Sequence, residues 1–261
     1  MENTTGWCRS GLELPSRSVG VWELELPHPH TPIPPYRQFL MDFKLSILIE
    51  VFPILLQGAW VTLYLTVSSL TIGLIIGLIL GLMRISENWI LRTFSLCYVE
   101  FIRGTPLLMH LVIIYYALPS LHPSLNLPAI VAGIVGMALN SAAYIAEIFR
   151  AGIQSISKGQ MEAARSLGMT PLQAMTYIIL PQAFRVSLPP LTNEFVALLK
   201  DSSLVSTLAV SELLRKGREI VAWKVNVFSP YVGVALLYLA MTLPMTKLAR
   251  YLEKRVSVGY G

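Results

Sequence analysis

Asn193 and Glu194 lie inside the apolar run LPPLTNEFVALL, where a carboxylate is the first candidate for chemistry. An ionised group among the apolar residues of a bilayer span is unfavourable unless a cation answers it. Glu194 therefore either meets a cationic group of a ligand, with Asn193 beside it, or pairs within the protein with Lys200 or Arg185. Thr62, Thr66 and Ser69 recur on one helical stripe, where hydroxyls either bond back to their own helix or line a solute path. A third group, Glu162, Ala163, Ala164, Arg165, Leu167, Gly168 and Met169, combines low alanine relief, adaptable apolar contacts and opposite charges. That combination suits docking into a groove on another protein better than catalysis.

Other chemistries find no support. Cys8 and Cys97 are far apart without CxxC spacing, so neither a disulfide nor a metal site is expected. His28 and His30 stand between prolines with no third ligand nearby, and His110 is a single imidazole on an apolar helix. No G-x-S-x-G turn is present to arm a serine for intramembrane hydrolysis, and no GxxxxGK[ST] loop to cradle ATP phosphates.

The elements that position these residues belong to a membrane protein. Hydrophobic residues make up 54% of the 261 and charged residues 13%, against about 25% charged in soluble domains. With a mean hydropathy of +0.60, the chain reads as all-helical and integral to a membrane. Its net charge of +5 then points to membrane-proximal loops and lipid headgroups rather than to nucleic acid.

Residues 1–40 read as a polar extension ending in the irregular, proline-rich PHPHTPIPP, and 41–261 as one transmembrane domain. No cleavable signal is evident at the start. Five spans are expected: about Phe52 to Met83, Trp89 to Leu118, Leu127 to Ile153, Pro181 to Leu199 and Val227 to Leu248. Gly73, Gly77 and Gly81 repeat every fourth residue and mark a face for close helix packing. A kink is expected at Arg103-Gly104-Thr105-Pro106, with Glu100 and Arg103 paired across one turn, and Glu147 with Arg150 closing the third span. The connection after the first span carries arginine while PSLHPSLNLP carries no charge, which puts the N-terminus outside and the C-terminus in the cytoplasm. The basic cluster around Arg215 then lies outside.

Between the third and fourth spans, about 157–181, the chain is polar and punctuated by helix caps. Ser157 and Gln160 have capping-box spacing, Gly168 stops the first short helix, and Thr170-Pro171-Leu172-Gln173 starts a second. The spacing Glu162-Ala163-Ala164, three residues, Gly168, nine residues, Ile178, one residue, Leu180-Pro181 fills every fixed position of a known pattern. It resembles the EAA loop of permease subunits of bacterial ABC importers. FIRGTPLL and LPPLTNEFVALLKDSSLVSTLAVSEL also resemble permeases for polar amino acids such as histidine, glutamine, arginine or glutamate, and the likeness runs from about Met41 to the C-terminus.

That resemblance implies the type I importer transmembrane fold, with the EAA segment as a cytoplasmic coupling helix seated on a separate ATP-binding subunit. ATP and Mg would be bound there, and this chain would hold no cofactor or metal. It further implies a second permease chain, identical or homologous, a periplasmic or surface amino-acid-binding protein, an amino-acid substrate, and a bacterial inner-membrane location. A passive channel, an assembly scaffold and an intramembrane enzyme are the competing classes.

Overall fold

The computed structural model describes residues 42–257, and the described part is all-helical. Cys8, His28, His30 and the proline-rich segment, with the expectations attached to them, therefore lie outside the described residues. The elements are α1 (Leu45–Arg84), α2 (Trp89–Gly104), α3 (Leu107–Leu121), α4 (Ala129–Gln154), α5 (Lys158–Ser166), α6 (Pro171–Ala174), α7 (Leu180–Asp201), α8 (Leu213–Lys224) and α9 (Phe228–Ser257). A 3₁₀ segment, Ser202–Leu208, leads out of α7.

Helices α1, α4 and α9 are long and apolar enough to cross a bilayer, and α2 with α3 forms a further pair bent by 102°. The expected kink is thus a full change of direction. Thr105 adopts an extended conformation, Pro106 follows, and α3 restarts one residue later. The residue before a proline is driven out of the helical region, and that makes the corner. Helix α7 has 22 residues, enough for a span by length at about 1.5 Å per residue. Its Arg185, Asn193, Glu194 and Lys200 keep it polar, so the fourth expected span rests on length and on packing against α4 and α9.

Helix α4 is the centre of the bundle, with 61% of its apolar window buried, whereas α9 has 22% and shows its apolar face outward. The α1–α4 contact is as close as the glycine repeat predicts. A Cβ on Gly77 would lie 2.7 Å from Ile145, on Gly73 3.2 Å from the Ala138 carbonyl, and on Gly81 3.1 Å from that of Ala146. Small residues let two backbones approach where lipid offers no hydrophobic drive for association. Leu65, Leu111, Met137, Leu198 and Leu208 fill the core beside this seam. A second core joins α1, α8 and α9 through Leu55, Leu213, Ile220 and Val234.

Two π-helical turns, Ile113–Ala117 and Met175–Ile179, each end two residues before a proline, Pro119 and Pro181. Proline lacks the amide that closes the regular ladder and its ring crowds the carbonyl four residues back; a widened turn accommodates both. The chain consequently continues as helix through Pro181, where the fourth span was expected to begin. From Pro171 to Asp201 it is one helical path.

Candidate functional site

The break between α2 and α3 opens a cleft of about 560 Å³ against α4 and α7. Arg103, Asn140, Tyr144, Glu194 and Asp201 supply its polar lining. A second cleft of about 430 Å³ lies alongside and shares Arg103, Tyr144 and Glu194. Each residue arrives from a different device. Arg103 ends α2 just before the corner, Asn140 and Tyr144 are one turn apart on α4, and Glu194 and Asp201 are two turns apart on α7.

The Glu194 carboxylate accepts one hydrogen bond, from Ser141 Oγ at 2.8 Å. No Lys, Arg or His nitrogen stands within 4.0 Å of it among the described residues, so of the two alternatives the internal pair with Lys200 or Arg185 is not made. Arg103 lies over the Tyr144 ring, its guanidinium carbon 5.3 Å from the centroid. This cation–π contact orients the guanidinium without consuming its donors. The cleft thus presents a cation and two carboxylates across a half-open space, complementary to a small ligand that carries both charges.

Asn193 does not line either cleft. It is exposed on the stripe Pro190, Asn193, Ala197, Lys200 of α7. Thr62, Thr66 and Ser69 are fully buried and held inside the protein. Thr66 bonds back to the Thr62 carbonyl at 2.8 Å, Ser69 donates to the Ile134 carbonyl of α4 at 3.2 Å, and Thr62 Oγ1 accepts from the Leu213 amide at 3.2 Å. One ion pairing also differs from expectation. Glu100 approaches Arg84 at 3.8 Å instead of Arg103, because the corner turns Arg103 toward α4; Glu147 and Arg150 pair as their spacing suggests. His110 is buried, with Nε2 2.7 Å from Thr105 Oγ1, and braces the corner.

The punctuated segment forms a separate exposed feature. Ser157 caps α5 through the Gly159 amide at 3.3 Å, without the reciprocal glutamine bond expected from Gln160. At α6 the capping box is complete: Thr170 Oγ1 accepts from the Gln173 amide at 3.3 Å, and Gln173 Oε1 accepts from the Thr170 amide at 2.8 Å. Gly168 turns the chain with φ +85°, a conformation that favours glycine. Glu162, Ala163, Arg165 and Leu167 are exposed, Leu167 at 85%. Met169 is half-buried, while Ala164 is buried and seats α5 on the body, so it does not belong to the outward face.

Sequence reasoning missed Asn140, Tyr144 and Asp201, and placed Arg103 in an ion pair. The available signal was Asn140 and Tyr144 at helical spacing inside an apolar span, where polar groups face a protein interior or a cavity.

Comparison with known proteins agrees with this architecture. Residues 73–258 match the family described as binding-protein-dependent transport system inner membrane component. The glutamine transport system permease protein GlnP of Escherichia coli (strain K12) is 39% identical over 218 residues, covering 84% of this chain and all of that protein. The probable glutamine ABC transporter permease protein GlnM of Bacillus subtilis (strain 168) is 41% identical over 217 residues, covering 83% of this chain and 100% of the relative. A crystal structure of an amino acid ABC transporter with histidines superposes with a TM-score of 0.77 at 42% identity, over 82% of this chain and 100% of that one. The chain belongs to the family of binding-protein-dependent transport system inner membrane components, as a permease of the amino-acid ABC transporter type.

Proposed function

We propose that this chain lines the translocation path of an ATP-driven importer of polar amino acids, with Arg103, Glu194 and their neighbours forming the contact with solute. The observation that carries this reading is the carboxylate of Glu194, satisfied by a single hydroxyl and open to a cleft that also holds Arg103. A zwitterionic amino acid brings an ammonium for Glu194 or Asp201 and a carboxylate for Arg103.

A second permease chain completes the path. The exposed α7 stripe through Asn193 and Lys200 is too polar to face lipid tails, and a partner subunit would cover it. The exposed face of α5 and its turn, with Glu162, Ala163, Arg165 and Leu167, is the contact for a separate ATP-binding subunit that carries ATP and Mg. In this arrangement α5 and the C-terminus are cytoplasmic, the N-terminus is outside in the bacterial inner membrane, and a binding protein delivers the amino acid from outside. Residues 1–40 precede the 41–261 transmembrane domain as an extension. Because α6 and α7 are one helical path, a push on α5 reaches Glu194 along a continuous rod, which supports alternating access driven by the partner.

Uptake of labelled amino acids into proteoliposomes holding the permease and ATP-binding chains, with external binding protein, tests the proposal. Uptake that requires internal ATP is expected. Equal uptake without ATP would make the protein a passive channel, and its absence together with conversion of the amino acid would make it an enzyme.

A further inference from the structure

A third cleft, of about 660 Å³, opens where the end of α1, the start of α2, the end of α4 and the start of α5 meet. Its charged lining is wholly cationic: Arg84, Arg92 and Lys158. The neighbouring acids in sequence, Glu87 and Glu162, are exposed and do not line it. Arg92 and Lys158 have no carboxylate within 4.0 Å among the described residues. Arg84 is only loosely answered, with Nη2 at 3.8 Å from Glu100 and 4.0 Å from Glu147, and its buried Nη1 has no acceptor.

Neutral donors stand among the cations. Ser86 and Ser157 each accept a backbone amide on Oγ and keep their hydroxyl proton to donate. Gln154 receives Arg150 on Oε1, leaving its amide nitrogen. The rest of the wall is apolar, built chiefly by Ile153, Ile156, Met161, Met175 and Ile179. Beside the cleft, Trp89 and Ile90 are 67% and 58% exposed just ahead of Arg92, as suits residues at a membrane interface.

Three cations with neutral donors and an apolar wall, at the edge of the lipid-facing surface, fit a phosphate that carries an acyl tail. We propose that this cleft binds the headgroup phosphate of an anionic phospholipid, bridging the α1–α2 turn to the first residues of α5. The shared chemistry, a phosphate monoanion, could also be offered by free phosphate; the apolar wall and the exposed Trp89 favour the lipid.

The test uses the complete complex with its ATP-binding chain, exchanged into nanodiscs of phosphatidylcholine with or without phosphatidylglycerol, with retained lipid read by native mass spectrometry. Wild type is expected to retain phosphatidylglycerol over phosphatidylcholine. Removing one cation by Arg92→Gln should weaken retention about fivefold, and Arg92→Gln with Lys158→Gln roughly 25-fold. Arg92→Lys, which keeps the charge, should restore most of it and shows that the loss is not misfolding. Displacement of the lipid by excess inorganic phosphate, with the phosphate retained instead, would overturn the lipid source. Equal retention in wild type and the double variant would overturn the site itself. Failure of wild type in the assembled complex to prefer phosphatidylglycerol would likewise overturn it.

Discussion

Glu194 and Glu212 are both glutamates withdrawn from solvent, yet their surroundings are opposite. Glu212 is fully buried at the start of α8, where its carboxylate accepts from the Leu214 amide at 2.8 Å, the Arg215 amide at 2.7 Å and the Tyr238 hydroxyl at 3.2 Å. It caps a helix and ties α8 to α9. Glu194 has the Ser141 hydroxyl and an open cleft. A carboxylate whose acceptor sites are filled by the fold is structural, whereas one left with spare acceptors beside a cavity is available to a ligand. Mutation should separate the two, with stability lost at Glu212 and transport lost at Glu194.

The largest loss of stability is expected from Glu212→Ala, which strands two amides and a hydroxyl in a buried site. A cost of about 3 kcal/mol follows from a lost cap plus unsatisfied groups. It should appear as a lower melting temperature in detergent and a poor yield of assembled complex; wild-type melting would break the comparison. Gly77→Leu should follow at about 2 kcal/mol, since even its Cβ meets Ile145 at 2.7 Å. Thermal melting checks this too, with Gly168→Ala at about 1 kcal/mol because of its positive φ. Ser141→Ala should cost no more than about 1 kcal/mol and should change uptake less than Glu194→Gln does. Glu162→Lys, on an exposed face, should leave melting within about 0.5 kcal/mol of wild type. Its effect should show as loss of the ATP-binding chain on co-purification, and normal co-purification would remove Glu162 from the docking face.

Legibility followed the range of the interactions. The α1–α4 seam could be read from Gly73, Gly77 and Gly81 because helical periodicity is local, and Gly168 and the Thr170–Gln173 box because caps span three residues. Glu194 could be singled out for its type in an apolar run. Its surroundings could not be read, since Arg103 comes from a helix end turned by the Thr105–Pro106 corner and Asn140 from the central helix α4, more than 50 residues before Glu194 in the chain. The angle of that corner, 102°, depends on tertiary packing that no local motif encodes. Thr62 shows the same limit: its stripe suggested a path or a back-bond, and its partner is the amide of Leu213, 151 residues away. The π turns are the intermediate case, because Pro119 and Pro181 announce a disturbance while only packing decides that the helix widens instead of stopping.

The claim that Glu194 serves the solute and not the fold is tested most directly by ATP-dependent uptake in proteoliposomes carrying Glu194→Gln, measured beside basal ATP hydrolysis of the same complex. Uptake should fall at least about tenfold, the equivalent of one lost charge-assisted contact of about 1.4 kcal/mol or more, while assembly, melting and basal hydrolysis stay at wild-type levels. Wild-type uptake by that variant, or a fall in uptake matched by collapse of the complex, would contradict the account.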